Sequence, residues 1–257
     1  MTWRTVLGGA LVGLLLACGD GGMDEAGDEV GEAEDSSGQV TAATDEAGDP
    51  TAGAACDGAM HTGEGTYYGA TGAGACSFDA SPGDLMVAAM NMPDYAGSAV
   101  CGACVTVDGP DATITVRIVD LCPECKSGDL DLSQEAFAKI ADPALGRVPI
   151  AWRFVSCPVS GDISYRYKEG SSQYWAGVQV RNHRNAIAKF EFQDAMGGWH
   201  EVARESYNYF IQDGGMGTGP LHFRVTDVEG NVLEDADVPL LDSQETPGGG
   251  QFPACTP

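Results

Sequence analysis

Apolar and polar residues alternate along much of the chain, with the period of two that is typical of half-buried β-strands. The pattern is clearest at residues 113–119, where Ile114, Val116 and Ile118 share one face of the predicted strand. Gly, Pro and Asp turns separate this strand from the others predicted in the first half of the chain, at residues 65–68, 86–90, 103–107 and 150–155. Short strands at this spacing indicate a small closed β-barrel, here over residues 56–159.

Two carboxylates are predicted on an exposed rim of this barrel. Asp120 comes directly after the clearest strand. Further along the chain, Leu130 and Leu132 are predicted to point inward, so Asp131 between them must point outward. One short helix follows at residues 134–141.

From residue 160 onward only short strands are predicted, and the fold class is therefore mainly β. About seven strands are predicted, at residues 163–167, 175–180, 187–192, 199–202, 207–211, 221–226 and 231–233. This outline is typical of an Ig-like β-sandwich, here over residues 160–242. Because only residues 158–161 join it to the barrel, we expect the two domains to pack in a fixed relation. Residues 243–257 are rich in Gly and Pro and are predicted to form a C-terminal tail.

Three separated motifs carry a resemblance to a known family. A V-D-x-C-x-x-C run followed by L-D-L-S lies at residues 119–133, with Gly-Thr-Tyr-Tyr upstream at 65–68 and Lys-Glu-Gly-Ser-Ser downstream at 168–172. In this order, over residues 63–239, they resemble a microbial expansin. The resemblance implies a six-stranded double-psi β-barrel followed by a β-sandwich that binds carbohydrate.

The resemblance also implies a groove formed by Thr66, Asp120 and Asp131. Relatives of this barrel include inverting endoglucanases, which need one carboxylic acid to protonate the leaving oxygen and a second carboxylate to activate water. Asp131 matches the acid of those enzymes, whereas Gly69 and Ala70 stand where their second aspartate follows the first strand. We therefore expect a protein that loosens glucan chains without hydrolysis and is not an enzyme.

Other interpretations of the groove stay open. In a true hydrolase Asp120 is the obvious substitute for the missing base, and a peptidoglycan lytic transglycosylase uses a single acidic residue on the same barrel. Alternatively, Asp120 and Asp131 only cap turns. Cys122 stands where microbial relatives have a tyrosine between the two aspartates, so one stacking contact to the sugar is in question.

A flat surface of aromatic side chains is the expected binding site for a glucan chain, because sugars present flat apolar faces. By resemblance the platform comprises Tyr174, Trp175 and Tyr207, with Lys168 nearby. Adjacent residues of a regular strand face opposite ways, so Tyr174 and Trp175 both serve only if a bulge or the start of a strand realigns them. The alternative places Tyr174 in the core, as is predicted for Trp199.

Charge narrows the range of partners. The chain of 257 residues has a net charge of −25, and residues 56–257 retain 27 acidic and 12 basic residues, a net charge of −15. Nucleic acids and anionic surfaces require a basic footprint, so neither is an expected partner. A neutral cell-wall glucan such as cellulose or xyloglucan fits this charge, with peptidoglycan as a further possibility. We expect a monomer without cofactor or metal, and a surface adhesin that merely binds polysaccharide is the remaining alternative.

The first 55 residues are predicted to be an export signal followed by a tether. Arg4 precedes an apolar run at 6–17 that is short for a membrane span, and the run ends in Leu-Leu-Ala-Cys18, which resembles a bacterial lipobox. Residues 1–18 are thus predicted to be a lipoprotein signal peptide with Cys18 lipidated, the alternative being a plain secretory signal. Residues 19–55 contain eleven acidic residues and no Lys or Arg, which predicts an extended, disordered tether. The protein is expected at the outer cell surface or outside the cell.

Eight further cysteines admit two interpretations. Cys101-x-x-Cys104 and Cys122-x-x-Cys125 have zinc-ribbon spacing, with 17 residues between the pairs. Export to an oxidising compartment favours disulfides instead. The expansin resemblance suggests the pairs Cys76–Cys101 and Cys104–Cys157, and the cysteines that remain would then pair as Cys122–Cys125 and Cys56–Cys255.

Overall fold

A computed structural model describes residues 54–255 of the chain. The signal peptide, the lipidation of Cys18 and nearly all of the acidic tether lie outside these residues and stay predictions. Within residues 54–255 no helix has the length and apolar character needed to cross a bilayer.

Six strands of the first domain close into a double-psi β-barrel, as predicted. The strands are β1 (His61–Tyr68), β2 (Val87–Asn91), β3 (Cys104–Asp108), β4 (Thr113–Cys122), β5 (Leu130–Ser133) and β6 (Val148–Val155). Their order around the barrel is β1-β5-β2-β4-β3-β6. The pairs β1–β5 and β2–β4 are parallel, and the other neighbours are antiparallel.

Apolar side chains at alternate positions of the strands fill the barrel interior. Leu130 and Leu132 of β5 are fully buried, as are Val116 and Ile118 of β4 to within 1 %. The short helix α1 (Met92–Tyr95) and the 3-10 turn Ala96–Ser98 follow β2. The predicted helix is α2 (Gln134–Ile140), and it covers one side of the barrel with its buried apolar face. A further 3-10 turn, Pro143–Leu145, leads into β6.

The second domain is a sandwich of two four-stranded sheets. Its strands are β7 (Ser164–Tyr167), β8 (Ala176–Arg181), β9 (Ile187–Gln193), β10 (Trp199–Glu201), β11 (Phe210–Gln212), β12 (Leu221–Asp227), β13 (Val232–Val238) and β14 (Glu245–Pro247). One sheet has the order β10-β9-β12-β13 and the other β11-β8-β7-β14. Aromatic rings fill the space between them, with Phe190 contacting Phe223 at a centroid distance of 4.9 Å.

The segment predicted as a C-terminal tail instead completes the sandwich. Strand β14 pairs with β7, placing Thr246 opposite Tyr165. Phe252 is fully buried in the sandwich core. The prediction overlooked this segment because three residues are too few to display alternation, while burial of one phenylalanine stabilises it by about 2 kcal/mol.

Four disulfides are present, and the pairs coincide with those expected. They are Cys56–Cys255, Cys76–Cys101, Cys104–Cys157 and Cys122–Cys125. The four cysteines with zinc-ribbon spacing are therefore divided among three disulfides, and none offers a thiolate. Among residues 54–255 the one cluster with the geometry of a metal site is Cys56, Glu229 and Cys255, and its two cysteines are bonded to each other.

Barrel and sandwich are joined by polar contacts as well as by the linker. The Gln179 side-chain amide donates to the Cys76 carbonyl at 2.9 Å. Arg181 forms an ion pair with Asp79 at 2.6 Å. These contacts run from the outer face of β8 to the loop between β1 and β2.

Candidate functional site

The order and register of the strands place the three predicted groove residues side by side across the barrel sheet. Thr66 of β1 pairs with Asp131 of β5. On the other side of β5, Ala89 of β2 pairs with Asp131, and the same alanine pairs with Asp120 of β4. The two aspartates are thus separated by one intervening strand, which corresponds to about 9–10 Å between their Cα atoms.

Asp131 is half-buried and held by a single hydroxyl. The Thr66 hydroxyl donates to its Oδ1 at 2.6 Å. Burial raises the pKa of the Asp131 carboxyl, and the charges of Glu124 and Asp120 raise it further, whereas Thr66 and Arg147 oppose the shift. A raised pKa widens the pH range over which the carboxyl is protonated, and the protonated form is able to donate a proton or a hydrogen bond.

Asp120 is held by backbone groups. Its Oδ1 accepts from the N–H of Ala75 at 2.7 Å and from its neighbour Leu121 at 2.9 Å. The backbone of Gly74 lies directly against the carboxyl, because a Cβ at this position would overlap the Asp120 side chain. The loop after β1 therefore fixes the orientation of this carboxylate.

Tyr68 belongs to the groove and was not among the predicted site residues. It lies two residues after Thr66 on β1 and so faces the same side. Its hydroxyl is buried; among the described residues it makes no hydrogen bond of regular geometry, although the Asp120 carboxyl lies near enough to act on it. Burial raises its pKa, and the charges of Asp120 and Asp131 add to the shift. The Gly-Thr-Tyr-Tyr motif contained this residue, but its proximity to both aspartates is a tertiary contact that no local pattern specifies.

The Cys122-Pro-Glu-Cys125 turn lies beside Thr66 of the groove. A polar cavity of about 320 Å³ is lined by this turn and by Thr66. Glu124 is exposed at the tip of the turn and faces the same cavity. Arg147 and Glu64, which form an ion pair at 2.5 Å, also line this cavity. Glu124 is thus a further carboxylate of the groove that was not predicted.

On the sandwich, the predicted aromatic residues lie at the beginning of a strand. Tyr174 and Trp175 come immediately before β8, in a turn closed by a hydrogen bond from the Ser172 N–H to the Trp175 carbonyl at 2.7 Å. The indole of Trp175 lies over Gly177, where a Cβ would come within 3.2 Å of the ring. Tyr174 is 75 % exposed, so it does not lie in the core. A turn at the strand start therefore frees both residues from strict alternation.

Lys168 lies between two tyrosine rings. Its ammonium is 5.2 Å from the centroid of the Tyr207 ring and 5.0 Å from that of Tyr209. Tyr207 is half-buried, whereas Tyr209 is 7 % exposed. The four predicted residues thus lie on the outer side of the β11-β8-β7-β14 sheet, and Tyr209, which was not predicted, supports Lys168 from beneath.

Trp199 is not a core residue, contrary to the prediction. It is half-exposed on the outer face of the other sheet, with the Arg224 guanidinium 4.2 Å from its ring centroid. Arg224 is bound in turn by both carboxylate oxygens of Glu191, at 2.6 and 2.8 Å. Trp199 thus packs against Arg224, whose charge is paired with Glu191. Because strand β10 has only three residues, the sequence did not show which side of the sheet this tryptophan lies on.

Comparison with known proteins gives matches to the barrel and to the whole two-domain unit. A family model described as lytic transglycolase matches residues 62–152, which span β1 to most of β6. The curated protein Expansin-YoaJ of Bacillus subtilis is 40 % identical over 215 residues, covering 79 % of this chain and 91 % of the relative.

Two solved structures have the same architecture. The apo expansin of Clavibacter michiganensis superposes with a TM-score of 0.71 at 34 % identity, covering 76 % of this chain and 99 % of the other. A mutant of the Clavibacter expansin crystallised with cellohexaose gives the same TM-score at 33 % identity and the same coverage.

Proposed function

Because the chain belongs to the expansin family, we propose that it binds a cell-wall glucan of the cellulose type and loosens it without hydrolysis. The complex of a related expansin with cellohexaose supports the choice of ligand. Xyloglucan, which has the same β-glucan backbone, is included in the proposal. The net charge of −15 over residues 56–257 favours a neutral polymer.

Each domain has its own role in this proposal. The platform, defined as Lys168, Tyr174, Trp175 and Tyr207, stacks on the flat faces of successive sugars. In the groove, Thr66, Asp120 and Asp131 form hydrogen bonds to glucan hydroxyls and compete with the bonds between neighbouring chains. Loosening follows when one chain exchanges its interchain hydrogen bonds for those of the groove.

The observation that carries the proposal is that one position, on β5, has a carboxyl group, whereas the position after β1 has no side chain. Asp131 is half-buried and burial raises the pKa of its carboxyl, which supports a role as a hydrogen-bond donor. After β1, Gly69 stands where related endoglucanases have their base, so no side chain there activates water. A groove of this kind binds and polarises a glycosidic oxygen but lacks one half of the hydrolytic pair.

The test compares two substitutions in extension and binding assays. Asp131→Asn should reduce the creep of cellulose-based wall material at least tenfold and leave adsorption to cellulose intact. Trp175→Ala should weaken adsorption by roughly tenfold, since one stacking contact contributes about 1–2 kcal/mol. If Asp131→Asn leaves creep unchanged while Trp175→Ala abolishes binding, the protein is an adhesin and the loosening proposal is wrong.

Glu124 favours a second candidate, weak glycosidic cleavage. Its carboxylate lines the same cavity as Thr66, and its charge raises the pKa of Asp131. The lytic transglycolase description of the barrel's family points to the same chemistry on peptidoglycan. Release of reducing ends from soluble β-glucan, or of muropeptides from peptidoglycan, that disappears in Glu124→Gln would establish this activity in place of the first proposal.

The proposed site of action is outside the cell. Four disulfides are typical of proteins exported to an oxidising compartment. Lipidation of Cys18 would tether the mature protein to a membrane. Mass spectrometry of the mature N-terminus distinguishes an acylated cysteine from a plain cleavage product.

A further inference from the structure

A short loop of the sandwich lies between the platform and the barrel. We call residues 204–209 the platform loop, because they carry Tyr207 and Tyr209 between β10 and β11. Two backbone hydrogen bonds close the loop, from the Glu205 N–H to the Tyr209 carbonyl at 2.8 Å and from the Asn208 N–H to the Glu205 carbonyl at 2.9 Å. Tyr207 lies between these hydrogen-bonded residues and is half-buried.

The first half of the platform loop is bound to the barrel. The buried guanidinium of Arg204 donates to the Ser98 and Ala99 carbonyls at 3.1 and 3.0 Å. In return the Ser98 hydroxyl donates to the Glu205 carbonyl at 2.8 Å. Burial lowers the pKa of Arg204 to about 10, so the guanidinium stays charged at neutral pH. Two of its three carbonyl acceptors lie in the barrel and the third, that of Ile187, lies in the sandwich, so the guanidinium links the loop to the other domain.

The second half of the loop is bound to the barrel through Asn208. Its backbone has a φ of 64°, the left-handed region that asparagine tolerates better than most residues. Its side chain is 4 % exposed and donates to the Cys76 carbonyl at 3.3 Å. Gln179 donates both to that carbonyl and to the carbonyl of Asn208, at 2.9 and 3.3 Å. Asn208 thus has hydrogen bonds on both its side chain and its backbone within the domain boundary.

We propose that Asn208 is a positioning residue through which the barrel sets the orientation of Tyr207 on the platform. The two tyrosines on either side of Asn208 have ring centroids 6.1 Å apart, and both contact Lys168. A different backbone angle at Asn208 would separate these rings and move Tyr207 away from Lys168. The affinity of the sandwich for glucan therefore depends on a residue that contacts no sugar.

This inference rests on the proposed function, since it takes the platform as the glucan-binding surface. It also accounts for a barrel loop with two roles. The Cys76 carbonyl anchors Asn208, while the preceding residue, Ala75, donates its N–H to Asp120 in the groove. Three consecutive residues, 74–76, therefore contact both candidate sites.

Asn208→Gly in the full chain tests the proposal. Glycine tolerates the positive φ but removes the side-chain anchor, so adsorption to microcrystalline cellulose should weaken by about fivefold through misplacement of one stacking ring. Asn208→Asp is a second variant that keeps the side-chain size but has no N–H to donate to Cys76. It should weaken adsorption similarly.

Asn182→Gly is the matched control. Asn182 has a φ of 54° and donates its side-chain amide to two carbonyls, those of Ser160 and Asp162, at 2.9 and 2.8 Å. It is the same residue type in the same backbone region but lies away from the platform loop. The control should lose a similar amount of unfolding free energy and bind cellulose like the wild type.

A double-mutant cycle separates positioning from general destabilisation. Asn208→Gly should weaken binding in the wild type but have no further effect in a Tyr207→Ala background, because the ring that it positions is then absent. Equal weakening in both backgrounds, or wild-type binding by Asn208→Gly when Trp175→Ala is impaired, would overturn the inference alone. Wild-type binding by Trp175→Ala and Tyr207→Ala would overturn the platform and the inference with it.

Discussion

Asp131 and Asp120 lie on the same rim of the barrel but are held by different kinds of group. Asp131 accepts from one side-chain hydroxyl, whereas Asp120 accepts from two backbone N–H groups. A hydroxyl rotates and exchanges partners when a sugar enters, but a backbone N–H fixed by its loop does not. In the proposed function Asp131 would therefore exchange its hydrogen bond when it binds the glucan, whereas Asp120 would bind it in a fixed orientation.

The first prediction concerns the glycine behind Asp120. Gly74→Ala places a methyl group where the Asp120 carboxyl now lies, so the carboxylate or the loop must move. We expect at least a fivefold loss of creep activity, with cellulose adsorption unchanged because the platform is on the other domain. Gly83→Ala is the control, since nothing lies within 4 Å of its added Cβ. Equal activity of the two variants would show that the position of Asp120 does not matter for loosening.

Sequence motifs identified the groove residues that lie within recognisable strings. Thr66, Asp120 and Asp131 were found in this way. Tyr68 and Glu124 were not, because their relevance depends on which strands are neighbours. The hydrogen bond from Thr66 to Asp131 spans 65 positions of the chain, and no local pattern specifies the register that forms it.

At the scale of elements, alternation predicted strands well where one face is buried and poorly where strands are short. Strand β4 was recognised over most of its length, and β6 shows the same inward pattern. Strand β1 begins at His61, earlier than predicted, because its first residues are glycine-rich and their partner is β6. There the His61 ring stacks on Trp152 at 3.9 Å, a contact between segments about 90 positions apart.

The second prediction ranks the disulfides by the length of chain that each one closes. Loop-closure entropy gives about 4 kcal/mol for Cys104–Cys157, with a separation of 53, and about 1.6 kcal/mol for Cys122–Cys125, with a separation of 3. Replacing both cysteines of a pair by serine should therefore cost much less stability at the turn than at the barrel edge. Urea unfolding of the two double variants measures the difference.

Removal of the turn disulfide should nevertheless affect the groove. The Cys122–Cys125 bridge holds Glu124 against the cavity that Thr66 lines. We expect the serine variant to stay folded and to bind cellulose while losing part of its creep activity. If its unfolding free energy falls as far as that of the Cys104–Cys157 variant, the turn contributes to the fold rather than to the groove.

At the scale of the whole molecule, the two domains share buried polar groups, which were not predicted from the sequence. The short linker at 158–161 predicted that the two domains pack closely. It did not predict that His183 and Arg204 of the sandwich would lie at the boundary between them. His183 is 4 % exposed, and its ring lies against Gly102 of the barrel, leaving no room for a Cβ there. Its Nδ1 donates to the Asn185 carbonyl at 2.7 Å, so the histidine is buried with a satisfied donor.

The domain boundary should therefore lose stability in mild acid. Burial is the main cause that lowers the pKa of His183 to about 4; the charges of Arg204 and Arg117 act with it, and the hydrogen bond to the Asn185 carbonyl opposes it. The unfolded chain binds a proton below about pH 6.5, while the folded protein does not until about pH 4, so stability falls as the pH drops through this window. A shift of this size corresponds to roughly 3 kcal/mol. The lowered pKa values of Asp79 and Glu191 act in the same direction but below about pH 4.5, whereas the raised pKa of Asp131 opposes them.

His183→Asn isolates the histidine from these carboxyls, because the asparagine amide takes the place of Nδ1 and does not titrate. We expect the variant to be less stable than the wild type at pH 7 and to lose less stability between pH 6.5 and pH 4.5, in chemical denaturation followed by tryptophan fluorescence. Parallel curves for the two proteins would mean that His183 is protonated as readily in the folded as in the unfolded chain. Since the ring lies against Gly102 of the barrel, its protonation should weaken the contact between the domains that carry the platform and the groove.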